Sequence, residues 1–178
     1  MKYQNIKFKV LSFVFLFSIC STAFAQLDWV KTKSDKSKIS FDLPEIPYVK
    51  NQELNGITSE VFSFRDAANI FGIVASDFSS LELDFSYADP TEYYNQLKEG
   101  SLLSSDTKLI SEQSVSYKRM LGKEICYTMM LRNLEYTYFK RFFFKNHFIY
   151  QITIGGPTRM KRVLLDKKHI FFNSIEFE

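Results

Sequence analysis

His147 and His169 are the only imidazoles in the chain, and beyond the first 25 residues Cys126 is the only thiol. A hydrolase needs a nucleophile backed by a base and an orienting group, and a metal centre needs several ligands at workable spacing. Neither histidine has another His or Cys at ligand spacing. His147 falls in an expected hairpin turn, where surface exposure is the ordinary condition. His169 lies late in an expected helix beside Lys167 and Lys168, where a cationic side chain interacts with the helix dipole. Cys126 falls inside an expected strand as a small core residue.

The familiar spacings G-x-S-x-G, H-E-x-x-H, G-x-G-x-x-G and the P-loop do not occur in the sequence. Glu82, Asp84, Asp89 and Glu92 cluster in sequence but lack the glycine and alternating oxygen ligands of a calcium loop. Asp89 and Glu92 instead fit a helix-capping box. The pattern therefore supplies no catalytic residue, no metal ligand set and no cofactor motif, although carboxylates from distant strands remain free to meet in space. The binding candidates are aromatic and cationic. Phe85, Tyr87, Tyr93 and Tyr94 gather near the mouth of the first helix, and Arg159 and Arg162 belong to a basic run in the second. Such aromatics ordinarily form core, and such a charge run is ordinarily a solvated helix face.

The elements that position these residues are organised around Leu134 to Gly156, two long strands joined near Lys145-Asn146-His147. Strand side chains alternate between faces. Phe148, Tyr150, Ile152 and Ile154 share one face of the second strand. Leu134, Tyr136, Tyr138, Phe142 and Phe144 share one face of the first. Keeping those two sets together predicts a three-residue loop, Phe144 opposite Phe148, and Asn146 or His147 in the left-handed conformation. Phe139, Phe143 and Ile149 on the other parity predict that both faces of the sheet are covered.

The chain begins with Lys2, Lys7 and Lys9, an apolar run from Val10 to Ile19, and Ala23-Phe24-Ala25. This is the pattern of a secretory signal peptide over residues 1–25, cleaved after Ala25. The apolar run is about half the ~20 residues needed to span a bilayer, and Ile19 before Cys20 disfavours lipidation. The whole chain carries a formal net charge of +3. Cleavage removes three lysines and no acid, so the mature protein is near neutral and lacks the excess positive charge on which nucleic-acid binding depends. The expected location is the periplasm or the extracellular space. The lone cysteine left beyond residue 25 precludes an internal disulfide, and of the chain's 19 Phe and 10 Tyr the 14 Phe and 9 Tyr beyond that point supply the core.

Residues 26–38, including Lys31 to Lys38, are expected to be a flexible segment. A single domain then covers 39–178. Ile39 to Leu43 alternates as a strand and stops at Pro44 and Pro47. Asn55-Gly56 signals a hairpin; a turn follows at Arg65 to Asn69, and Gly72 marks an expected bulge or close backbone approach. Asp89, Pro90 and Glu92 open the first helix, with Tyr93, Tyr94 and Leu97 inward. Strands resume from Thr107, with a turn at Gly122-Lys123 and Ile125, Tyr127, Met129 and Leu131 on one face. Pro157 and Thr158 open a second helix with Met160, Val163, Leu164, Lys167 and Phe171 inward, before a short last strand. The fold class is α+β: a predominantly antiparallel sheet of about six to eight strands covered by two main helices.

Several features carry a resemblance: the Phe41-x-Leu43-Pro44-x-x-Pro47 opening, Gly122-Lys123-Glu124 before an aromatic strand, the Phe142 to Tyr150 hairpin ending in Tyr-Gln-Ile, and Phe171 to Phe177 at the close. Together they resemble the PsbP-like α/β/α sandwich group of small exported proteins, which includes the extrinsic subunit of photosystem II. The resemblance implies an α/β/α fold and a non-enzymatic assembly, scaffold or interaction role. Two functional readings follow. The first is an interaction module for another exported or envelope protein, docking through Ser79 to Tyr94 or the basic face of the second helix. The second is a carrier of a small apolar ligand near Phe85, Tyr87, Tyr93 and Tyr94, which requires a closed pocket of at least about 300 Å³.

Overall fold

The computed structural model describes residues 29–178, so the signal peptide expected over residues 1–25 lies outside the described residues. The architecture is a seven-stranded antiparallel sheet in the order β3-β4-β5-β9-β8-β7-β6, with a small sheet β1-β2-β10 packed over part of it. The strands of the small sheet are β1 (Val30–Ser34), β2 (Ile39–Leu43) and β10 (Glu176–Phe177). The left part of the main sheet is β3 (Tyr48–Leu54), β4 (Ile57–Arg65) and β5 (Ile70–Asp77). The remainder is a meander of β6 (Thr107–Tyr117), β7 (Met120–Leu131), β8 (Leu134–Lys145) and β9 (Phe148–Pro157). Helix α1 (Thr91–Ser101) precedes the meander and α2 (Lys161–Ser174) follows it.

Both faces of the main sheet are covered, as aromatics on both parities of β8 require. On one face Phe139, Phe143, Tyr150, Ile152 and Ile154 meet Leu164, Phe171 and Phe172 of α2 and Ile39, Phe41 and Phe177 of the small sheet. On the other, Ile125, Tyr127, Tyr138 and Phe142 meet Tyr94 of α1. This two-sided burial overturns the expected hairpin register. The loop has two residues, Asn146 and His147, pairing Lys145 with Phe148 and Phe143 with Tyr150. The expected three-residue loop assumed that the two most apolar parities must face the same way. With a layer on each side they need not, and Asn146 supplies the left-handed residue at φ 50°.

Three other local expectations change. Residues 30–34, expected to be a flexible leader, pair with β2 as β1, and Ser34 and Ser37 both donate to Glu60 on β4, at 2.5 and 2.6 Å. The β6–β7 turn is Lys118-Arg119, with Tyr117 opposite Met120. Gly122 lies instead within β7, where an added Cβ would come within 2.6 Å of the Phe143 ring. Gly72 sits in regular ladder between Ser63 and Thr153 with open space above it. The register irregularity is at Ile110, between Leu109 and Ser111.

Both helices depart slightly from the expected pattern. The Asp89 carboxylate accepts from the Thr91 amide at 2.9 Å and its hydroxyl at 2.7 Å, but Glu92 contacts Gln96 at 3.3 Å, so the reciprocal half of the capping box is absent. In α2 the buried stripe is Leu164, Phe171 and Phe172, while Val163 is exposed. Lys168 turns inward because Glu124, 3 % exposed, lies beneath it and takes Lys168 at 2.5 Å and Arg141 at 2.6 Å. A carboxylate that deeply buried is tolerated only with such partners.

Candidate functional site

The β8–β9 turn does more than join two strands. The Phe78 amide donates to the His147 carbonyl at 2.8 Å, and the Phe85 amide donates to the Asn146 carbonyl at 2.7 Å. His147 Nδ1 meets the Leu83 carbonyl at 2.7 Å, so this imidazole is half-buried and structural. These bonds hold the connection between β5 and α1 against the end of the sheet. The aromatic side chains it carries then converge: Phe85 lies edge-on to Tyr93 of α1 at 5.4 Å and to Phe144 of β8 at 5.3 Å, and Phe78 joins Phe85 at 6.0 Å. Each such pair contributes about 0.5–1.5 kcal/mol beyond area burial.

Two open clefts adjoin this cluster and share Phe144 as a wall. The larger, about 350 Å³, has Phe85, Tyr117, Met120 and Phe177 as its apolar floor and Lys118, Arg119 and Lys145 on its rim. The smaller, about 280 Å³, lies between the start of α1 and β7 and is lined by Tyr94, Glu112, Leu121 and Lys123. Lys145 donates to the backbone carbonyl of Glu178. Among the described residues, Lys118, Arg119 and Lys123 make no ion pair. Leu121, 77 % exposed, and Tyr87, 92 % exposed, stand beside the clefts as uncovered apolar surface.

The titratable groups of the smaller cleft form one network. Lys98 Nζ pairs with Glu112 Oε2 at 3.2 Å and lies 5.4 Å over the Tyr94 ring. The Tyr94 hydroxyl is buried without a hydrogen bond of good geometry. Burial, reinforced by the Glu112 carboxylate, drives the Tyr94 phenol well above its ordinary range. Glu112 is held below the usual carboxylate range by Tyr94, with Lys98 and Lys123 adding to the effect. The phenol rises and the carboxyl falls, so both move away from neutrality. Acid–base catalysis needs the opposite tuning.

Lys140 lies on the α1 face of β8, outside both clefts. Its ammonium donates to Ser101 Oγ at 3.0 Å, and burial lowers its pKa from 10.5 to about 8. Cys126 is buried, and burial pushes its thiol up, as for an inert core cysteine. Among the described residues no three His, Cys, Asp or Glu side chains gather as a metal site.

The six residues singled out in the sequence do not form one site. Phe85 lines the larger cleft, Tyr94 the smaller, and Tyr93 packs between Phe78 and Phe85. Tyr87 is solvent-exposed beside them. Arg159 and Arg162 sit exposed at the start of α2, beyond the opposite end of β9, whose ten residues span roughly 30 Å. The residues missed are Leu121, Lys118, Arg119 and Phe144. The aromatic and sulfur-bearing flanks Tyr117 and Met120 around a Lys-Arg pair were an available signal, but Gly122 drew the turn four residues downstream.

No protein-family model and no curated protein matches the sequence. Solved structures do match the fold. Cyanobacterial PsbP from Synechocystis sp. PCC 6803 superposes with a TM-score of 0.63 at 10 % identity, over 88 % of this chain and 96 % of that one. LpqN of Mycobacterium tuberculosis, described as involved in cell envelope biogenesis, gives a TM-score of 0.51 at 9 % identity, over 83 % of this chain and 88 % of that one. The molecule is thus an antiparallel α+β sandwich with helices on both faces of its main sheet. Its fold is that of the PsbP-like α/β/α sandwich group.

Proposed function

We propose that the protein is an exported, non-enzymatic interaction or assembly module that docks a segment of another exported protein at the paired clefts. The observation that carries this reading is the union of an aromatic floor, exposed Leu121 and Tyr87, and the rim cations Lys118 and Arg119, which make no ion pair among the described residues. Such a surface complements an extended segment bearing apolar and acidic side chains. The tuning of Tyr94 and Glu112 away from neutrality argues for structural rather than catalytic roles. Export rests on the signal pattern in residues 1–25, and no described helix is long and apolar enough to cross a membrane. The larger cleft has the volume that a small apolar ligand needs, but it is open and cation-rimmed, which suits a carrier poorly.

The experiment is recovery of the mature protein from its host as wild type and as Leu121→Asp/Arg119→Glu. A partner bound to wild type and lost from the variant supports docking here. A mass increment of a few hundred daltons that disappears on denaturation supports the carrier instead.

A further inference from the structure

Independently of the clefts, the far edge of the main sheet carries a strand that fits itself. β3 is an edge strand whose seven residues are all exposed, paired with β4 in unbroken register from Tyr48 opposite Ser63 to Leu54 opposite Ile57. The other edge, β6, is interrupted at Ile110, and such interruptions protect an edge from pairing. β3 has no such device. It also exposes Tyr48 (69 %) and Leu54 (72 %), both on the α1 face.

The direction of the free backbone groups follows from the turn. Asn55 and Gly56, at φ 52° and 79°, form a two-residue loop, so Leu54 and Ile57 are a hydrogen-bonded pair. By alternation Leu54, Gln52, Lys50 and Tyr48 bond inward to β4. Glu53, Asn51 and Val49 then point their amides and carbonyls outward.

We infer that two copies of this chain join through β3, antiparallel about a two-fold axis at Asn51, making one continuous sheet. In that register Asn51 opposes the second copy's Asn51, and Val49 opposes its Glu53, so every outward group of these three residues meets a complement. Tyr48 opposes the second copy's Leu54 at both ends, covering the exposed apolar side chains. Lys50 opposes Gln52, so no like charges face directly. Lys36 is held at Asn51 Oδ1 at 2.9 Å, diagonal to the second copy's Glu53. Neither Lys36 nor Glu53 has an ion-pair partner within the chain among the described residues. The interface thus gains two symmetric charge pairs within reach of long side chains.

The test is sedimentation velocity of the mature protein over a concentration series, with amide hydrogen exchange along β3. The expected result is a concentration-dependent dimer in which Val49, Asn51 and Glu53 amides are protected on the order of tenfold or more over a monomeric variant. Tyr48, Lys50, Gln52 and Leu54 are protected in both. Val49→Pro removes an outward donor without costing a β3–β4 bond, and should give a monomer with unchanged circular dichroism. If that variant unfolds, Asn51→Lys, which sets a second cation beside Lys36 on the axis, serves in its place. A wild type that stays monomeric at all concentrations overturns the proposal. So does a dimer that survives both substitutions, or exchange without the alternation.

Discussion

Replacing Lys140 by methionine should stabilise the protein, and should do so in a pH-dependent way. Lys140 sits where α1 covers β8, with Ser101 Oγ as its hydrogen-bond partner and the Phe142 ring 5.4 Å away. Its pKa falls from 10.5 to about 8 because burial penalises the charged form. Well above the unfolded value both states are neutral and nothing is lost. As pH falls toward 8 the unfolded chain takes the proton before the folded one, so folded stability declines; below about 8 the penalty is constant. A depression of this size corresponds to roughly 3 kcal/mol at most. The side chain retains some solvent contact and one hydrogen bond, so about 1–2 kcal/mol is the realistic gain from removing the charge. Lys140→Met keeps the aliphatic stem on Phe142. Its urea midpoint at neutral pH should therefore rise, with a melting temperature higher by about 3–6 °C, and the two proteins should converge toward about pH 10.5. The raised phenol pKa values of Tyr127 and Tyr138, caused by burial, destabilise both proteins at high pH and cancel in the difference. A variant that is less stable at neutral pH, or a difference that does not change with pH, would refute the reasoning.

Other expectations test the remaining packing. Glu124→Gln leaves Arg141 and Lys168 without their buried carboxylate and should cost about 3–5 kcal/mol in chemical denaturation. Gly122→Ala drives a methyl into the Phe143 ring and should cost about 1–3 kcal/mol, whereas Gly72→Ala, with nothing within 4 Å, should be tolerated as a surface strand substitution. Tyr87→Ser and Leu121→Ser, both at exposed positions, should change stability by less than about 0.5 kcal/mol while weakening partner retention. His147→Ala removes the bond to the Leu83 carbonyl, and backbone hydrogen exchange should report faster opening of residues 78–90 with the core unaffected.

The parts of the fold legible in the sequence are those dictated by local chemistry. Asn55-Gly56 demands positive φ and gives its hairpin, and Asp89 before Pro90 marks the start of α1. Aromatics on both parities of β8 require layers on both faces. What failed were inferences about which partner a residue finds across the chain. Gly122 reads as a turn in sequence, but it exists to admit the Phe143 ring from β8. Lys168 reads as solvated until Glu124 from β7 lies beneath it. The Lys31 to Lys38 stretch reads as a leader because its ordering comes from β2 and from Glu60. The clefts were half visible for the same reason: Phe85, Tyr93 and Tyr94 are local to one segment, whereas Phe144, Leu121 and Lys118 reach them only through the meander.

The most direct test of docking at the clefts is a photo-crosslinking side chain placed at Leu121 in the host, compared with one at Ile170 on the outer surface of α2. Both positions are exposed, so solvent access alone does not separate them. One discrete protein adduct at position 121 that is absent at position 170 is the expected result. Equal labelling at the two positions, or no adduct at 121 in the native host, would contradict the account.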